Sequence, residues 1–158
     1  MALSSTRASL ERLGAELSVV AWAFVLGALM RRSETIQTLA QGLFSPETPA
    51  LLLIALIVYG ILATVSIGGH PIVAASVLLA VLGAGSGQLT DTVLFASVVL
   101  GWGCSSMIGP AALNLMMTSL MFQVSRRSLI VSINTVLNVV FASFGIAVLT
   151  GINAWLRV

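Results

Sequence analysis

Apolar runs and short polar breaks alternate along the chain. Ala8, Leu10, Leu13 and Leu17 recur at near-helical spacing among Arg7, Glu11 and Arg12. That pattern predicts an interfacial amphipathic helix over 1–16. An apolar run, Leu17 to Met30, follows and closes on Arg31-Arg32. Fourteen residues make only about 21 Å of helix, so the first span is drawn over about 14–30. Ile36, Leu39, Ala40, Leu43 and Phe44 then fall at i, i+3, i+4, i+7 and i+8, the mark of a short surface helix. Ser45-Pro-Glu-Thr-Pro49 ends it, with Pro49 suited to the first turn of the next helix.

Two later apolar stretches are each interrupted by polar residues with Gly and Pro. In the first, Ala50 to Ile67 runs into Ser66-Ile-Gly-Gly-His-Pro71, and Ile72 to Leu82 follows. Read as one helix, 49–82 would reach about 50 Å, so a hairpin dipping into the membrane over about 49–83 is predicted instead. In the second, the helix that starts after Thr90 or Asp91 breaks across Cys104 to Pro110 and resumes at Ala111 to about Phe122. A broken helix is therefore predicted over about 92–123. The last span is drawn over about 128–150, with Trp155 and Arg157 of the tail 152–158 as interfacial anchors.

Composition names the solvent. The chain is 58% hydrophobic and 8% charged, with a mean hydropathy of +1.10. A soluble domain carries roughly 25% charged residues. Asp91 is the only charge between Thr48 and Gln123, and Ser128 to Leu156 has none. The reading is an all-α integral membrane protein, multi-pass, with its membrane domain over 17–151 and a bacterial inner membrane as its expected home. The seven basic residues are all Arg and form no stripe of the kind nucleic acid requires. Topology stays open. A hairpin at 49–82 and a broken crossing at 92–122 put Arg31-Arg32 and Arg126-Arg127 on opposite sides, and the positive-inside rule cannot satisfy both.

Lipid offers no hydrogen bonds, so interrupted backbone at membrane depth must be buried in protein or line a wet cavity. A pair of interruptions points to a solute site near the midplane. At the first, Ser66, Gly68, Gly69, His70 and Pro71 are the candidate lining. Pro71 disfavours helix at His70, and the two glycines allow close backbone approach. Freed amides after the break would present a positive helix end to a carboxylate or another anion. Two roles are open to His70, the only histidine. It serves a proton-coupled or ligand-donating function, or it is a neutral side chain that satisfies a broken-helix carbonyl or stands exposed at a loop where the break reaches the interface. At the second interruption, Ser105, Ser106, Gly109, Pro110 and Asn114 supply hydroxyl, backbone and amide groups. The bland alternative there is a proline kink patched by serine hydroxyls.

Other features point to packing. Met107, Met116, Met117 and Met121 suit flexible contacts rather than soft-metal binding. Asn134 and Asn138, one turn apart, suit hydrogen bonds to a neighbouring helix. Gly101, Gly103 and Gly145 permit close helix contact. Cys104, the only cysteine, excludes an intramolecular disulfide. No nucleophile motif surrounds Ser105 or Ser106, so no enzyme, catalytic residue or resident cofactor is expected.

The order of hairpin with a polar tip, polar loop, helix broken at Cys104-Ser-Ser…Gly-Pro-Ala-Ala-Leu-Asn114, and plain final span resembles one half of an ion-transporter superfamily carrier, the group that includes divalent-anion/sodium symporters. In that family a Pro-bearing loop followed by Asn helps form a sodium and substrate site. The resemblance implies that Ser105, Ser106, Gly109, Pro110 and Asn114 line such a site, with Na+ or H+ as coupling ion. The family's Ser-Asn-Thr signature at the hairpin tip is replaced here by Ser66-Ile-Gly-Gly-His-Pro71. Such carriers also contain two inverted repeats, and this chain has room for one. The expectation is a half-transporter for a small anionic organic solute, completed by a second membrane subunit or a homo-oligomer. The alternative is a non-catalytic structural subunit of a larger membrane complex.

Overall fold

The computed structural model describes residues 2–43, 47–82, 88–109 and 113–157, and they contain eight helices. These are α1 (Ala2–Arg32), α2 (Glu34–Leu43), α3 (Ala50–Ser66), α4 (Pro71–Leu82), α5 (Asp91–Ile108), α6 (Leu113–Phe122), α7 (Arg126–Ile130) and α8 (Ile133–Leu156). No strand occurs among the described residues. Two helices, α5 and α8, are long and apolar enough to cross a membrane. Of the segment 1–16, expected to be separate, the described residues 2–16 continue without a break into the first apolar run as α1. The last span begins later than drawn, because Ser125 and Ser132 each cap a helix. The Ser125 hydroxyl accepts from Ser128 N–H to start the one-turn α7, and that of Ser132 accepts from Asn134 N–H to start α8.

Helix α3 is the centre. Its residues Leu53, Ile57, Ile61 and Val65 form one stripe, packed with Ala74, Ala75 and Leu82 of α4 and Val98 of α5. A second stripe, Ile54, Val58 and Leu62, packs with Val93, Cys104 and Ile108 of α5 and with Ala142 and Ile146 of α8. A helix apolar on this many sides belongs inside a bundle. The outer face of α8 is the opposite case: Val136, Leu137, Val140, Phe141 and Phe144 are exposed. Such a contiguous apolar face suits hydrocarbon rather than water.

Close contacts fix the register. A Cβ on Gly60 would meet Leu78, so α3 and α4 fold back on each other. Gly101 of α5 lies against Val58 and Ile61 of α3. Residue Val98 turns toward the α4 side and Cys104 toward the α8 side, which a right-handed helix allows only if α5 runs in the same direction as α3. Helix α8 runs against α5, with Asn138 bonded to Cys104 and Asn153 bonded to Gln88 and Thr90. Helix α1 runs alongside α4, Gly27 against Ser76.

These registers decide where the helix interruptions lie. The α3–α4 turn, the end of α5 and the start of α8 share one end of the bundle. The α4–α5 connection, the end of α1 with Arg31 and Arg32, and the end of α8 share the other. Helix α7, which carries Arg126 and Arg127, lies at the first end, so the two arginine pairs sit at opposite ends of the bundle.

Candidate functional site: two helix interruptions at one end of the bundle

The α3–α4 turn is built from local bonds. Gly69 N–H donates to Thr64 O at 2.9 Å and Gly68 N–H to Val65 O at 3.0 Å. This is the paired glycine cap that ends many helices, and it requires the left-handed backbone that Gly68 adopts at φ +93°. The expected free carbonyls before the break are therefore met in part by the glycine amides. The other side of the turn is closed as well. Ile72 N–H donates to His70 Nδ1 at 3.3 Å, and His70 O accepts from Val73 N–H and Ala74 N–H. Pro71 has no amide hydrogen to offer. The first-turn amides of α4, expected to face an anion, are thus already bonded, and this corrects the open anion cradle read from sequence.

The His70 ring is exposed and caps α4, accepting from an amide after the break rather than satisfying a carbonyl before it. The cap uses Nδ1 as an acceptor, which requires that nitrogen to be unprotonated. Ser66 is exposed, and its hydroxyl returns to Leu62 O at 2.8 Å.

The second interruption is more deeply placed. Helix α5 ends at Ile108, and Gly109 leaves in an extended conformation while its N–H still reaches Ser105 O at 2.9 Å. Cys104, Ser105, Ile108 and Gly109 are buried, and Ser106 is half-buried. Both serine hydroxyls fold onto their own helix, Ser105 donating to Trp102 O at 2.8 Å and Ser106 to Gly103 O at 2.7 Å. Pro110 lies outside the described residues. Asn114 belongs to α6, and its side chain also lies outside them. Met107, Met117 and Met121 are exposed.

The fold thus brings the two interruptions to one end of the bundle. They lie level with the first turn of α8 rather than its middle, about 27 Å along α5 from Asp91. Among the described residues no hydrogen bond joins the two turns. A groove of about 450 Å³ lies nearby between α1 and α4, lined by Ser18, Val19, Trp22, Ala23, Leu26 and Val73. It includes none of the predicted site residues.

Sequence reading missed the joint at the opposite end. The buried Asn153 accepts from Thr90 N–H at 3.0 Å and donates to Gln88 O at 2.9 Å. Arg157, expected as an interfacial anchor, donates to Gln88 O and Gln88 Oε1 at 2.9 and 2.7 Å. An amide in an apolar run was the available signal, and it is the one that pointed to Asn138. That residue does bond to a neighbouring helix, its Nδ2 donating to Cys104 O at 2.7 Å, whereas Asn134 is exposed. Among the described residues no three His, Cys, Asp or Glu gather as a metal site. Compared with protein-family models, curated proteins and solved structures, the chain finds no match.

Proposed function

We propose that this chain is a multi-pass inner-membrane protein forming half of a secondary transporter for a small anionic organic solute. In this reading α3 and α4 are a re-entrant hairpin, and α5 and α6 are a discontinuous helix. A second membrane subunit or a second copy of the chain supplies the missing half. The observation that carries the reading is that the two interruptions lie at one end of the bundle, one of them with Ser105 and Gly109 buried. Unwound backbone in lipid-facing proteins is tolerated where it lines a cavity, and paired breaks are the usual sign of a solute site. The solute enters from the bundle end rather than from the mid-height of α8.

In this reading the hairpin tip is a closed gate. Solute reaches the Ile72 amide only after the His70 cap opens. A proton on Nδ1 removes the acceptor for Ile72 N–H and adds a positive charge beside the freed amide. Proton and anion therefore arrive together. Uptake of small organic acids into proteoliposomes, with and without an inward proton gradient, tests this. The expected result is gradient-driven uptake of at least one acid, lost in His70→Ala. Absence of uptake for every acid tested would overturn the carrier reading, and unchanged gradient-driven uptake in His70→Ala would remove His70 from it.

The alternative is a structural subunit of a larger membrane complex. It draws support from the self-contained bonding of both turns, whose hydroxyls all point back to their own helices. Cys104 separates the two readings. A carrier whose site opens beside α5 shows solute-dependent protection of this thiol from a membrane-permeant reagent, whereas a packing subunit leaves it inert throughout.

A further inference from the structure

Helix α1 reaches well beyond the helix it packs on. Gly27 meets Ser76, and Val73 joins residues 18–26 in lining one groove, so α1 and α4 run the same way. Trp22 then stands level with Pro71, where α4 begins. Residues 2–21 extend past that point as about 30 Å of helix. Among the described residues α1 packs against only α2 and α4. A Cβ on Gly14 would meet nothing within 4 Å, and Leu17 is 60% exposed. This end of the bundle is level with the first turn of α8, the longest candidate span, so the arm stands outside the hydrocarbon. Arg7, Glu11, Arg12 and Glu16 put four charges into ten residues of it, which suits water and not lipid.

A lone helix of this length is marginal in water, and Ser4, Ser5, Ser9 and Gly14 weaken it further. Such an arm needs a packed face, and the sequence supplies one. Leu3, Leu10, Leu17 and Phe24 recur every seven residues, with Thr6, Leu13 and Val20 interleaved, which makes a coiled-coil seam of three heptads. The seam lies about a quarter turn from Ala23 and Gly27, which face α4, and Phe24 is 68% exposed. Lipid cannot cover a stripe that stands beyond the headgroups, so its cover is protein. The surface area fits a second copy. The chain exposes 10168 Å², against roughly 7,500 Å² for a compact fold of 16.4 kDa. That surplus of roughly 2,600 Å² is on the scale that an obligate homodimer buries. The two Arg and two Glu of the arm balance, so two copies of it approach without repulsion. Antiparallel arms would set the two bundles at opposite ends of the seam, which a single bilayer cannot hold.

We infer that residues 3–24 of α1 pair with the same residues of a second copy as a parallel two-stranded coiled coil, rising from the bilayer at the end of the bundle that carries the interruptions. The interface is isologous: each seam residue meets its own counterpart across a two-fold axis. It uses none of the interruption residues and is independent of the carrier reading. Copies paired in this way share one orientation in the bilayer, so an inverted half for the carrier comes from a different subunit.

The test is disulfide cross-linking of the full chain in membranes, in a Cys104→Ala background that keeps the backbone oxygen bonded to Asn138. Thr6→Cys places a thiol in the seam, and Ala15→Cys places one on the opposite face of the arm. A disulfide needs Cα atoms roughly 4.4–6.8 Å apart, and only parallel arms bring position 6 that close to itself. Oxidation should convert Thr6→Cys largely to a covalent dimer and leave Ala15→Cys monomeric. With Cys104 intact, Leu10→Glu combined with Leu13→Glu should reduce the detergent-solubilised chain to a monomer in sedimentation, its helix content retained, while Ala8→Glu combined with Ala15→Glu stays dimeric. Equal cross-linking at the two positions, or none in Thr6→Cys, would overturn the proposal. So would a spin label on Leu13→Cys that is relaxed by oxygen dissolved in lipid, because the stripe would then lie on the membrane surface.

Discussion

Two glycines in α5, two residues apart, should respond to the same substitution with opposite sign. Gly101 faces α3: a Cβ placed there would lie 3.0 Å from Ile61 Cδ1 and 3.2 Å from Val58 Cα. Ordinary carbon contacts are about 3.5–4.0 Å, so the two helices must separate by several tenths of an ångström. At Gly103 an added Cβ would meet nothing within 4 Å, and the residue is exposed. Replacing either glycine with alanine removes the same helix-propensity penalty of about 0.5–1 kcal/mol. At Gly103 that gain stands alone, so Gly103→Ala should stabilise by about that amount. At Gly101 overpacking of about 1–3 kcal/mol opposes it. Gly101→Ala should therefore be net destabilising by about 1 kcal/mol, leaving about 2 kcal/mol between the two variants. Because the backbone terms cancel in the comparison, the difference isolates the α3–α5 contact. Ile61→Val deletes the nearer clashing atom and should recover part of the loss in the Gly101→Ala background, while the Val58 backbone contact keeps the rescue partial. Reversible unfolding in mixed micelles, followed by tryptophan fluorescence, measures each of these proteins. Equal effects of the two alanines, within about 0.5 kcal/mol, would refute the parallel α3–α5 packing and with it the shared end for the two interruptions.

Two further substitutions test the joints at either end. Asn153→Ala removes an acceptor for Thr90 N–H and a donor to Gln88 O, and should cost about 2 kcal/mol in the same unfolding assay. Gly68→Ala meets no atom within 4 Å but must hold φ near +93°. Its cost should be about 1–2 kcal/mol, all of it conformational, and a second-site change at a neighbouring side chain should not relieve it.

The linear order of residues determined the helices and most of their ends. Long uncharged runs leave the backbone no partner but itself, so Ala50–Ser66, Asp91–Ile108 and Ile133–Leu156 had to be helical in an apolar medium. The stops were equally local. Gly68 supplies the left-handed step, Pro71 withholds a hydrogen, and Thr90 offers an oxygen to the first turn of α5. Each of these acts within one turn, and nearby sequence contains everything it needs. What local sequence could not contain was the use made of the free groups. Glycine amides and the His70 ring close the α3–α4 turn, which the residue order alone presents as an open anion cradle. Ser105 is buried while Ser66 is exposed, although the two look alike in sequence. Asn138 and Asn153 find different partners because α5 shows carbonyls to one and amides to the other. These outcomes depend on how far one helix slides and rotates against another. That register is set by the meshing of Gly101 with Val58 and Ile61, and of Tyr59 with Ser143, residues that lie far apart in the chain.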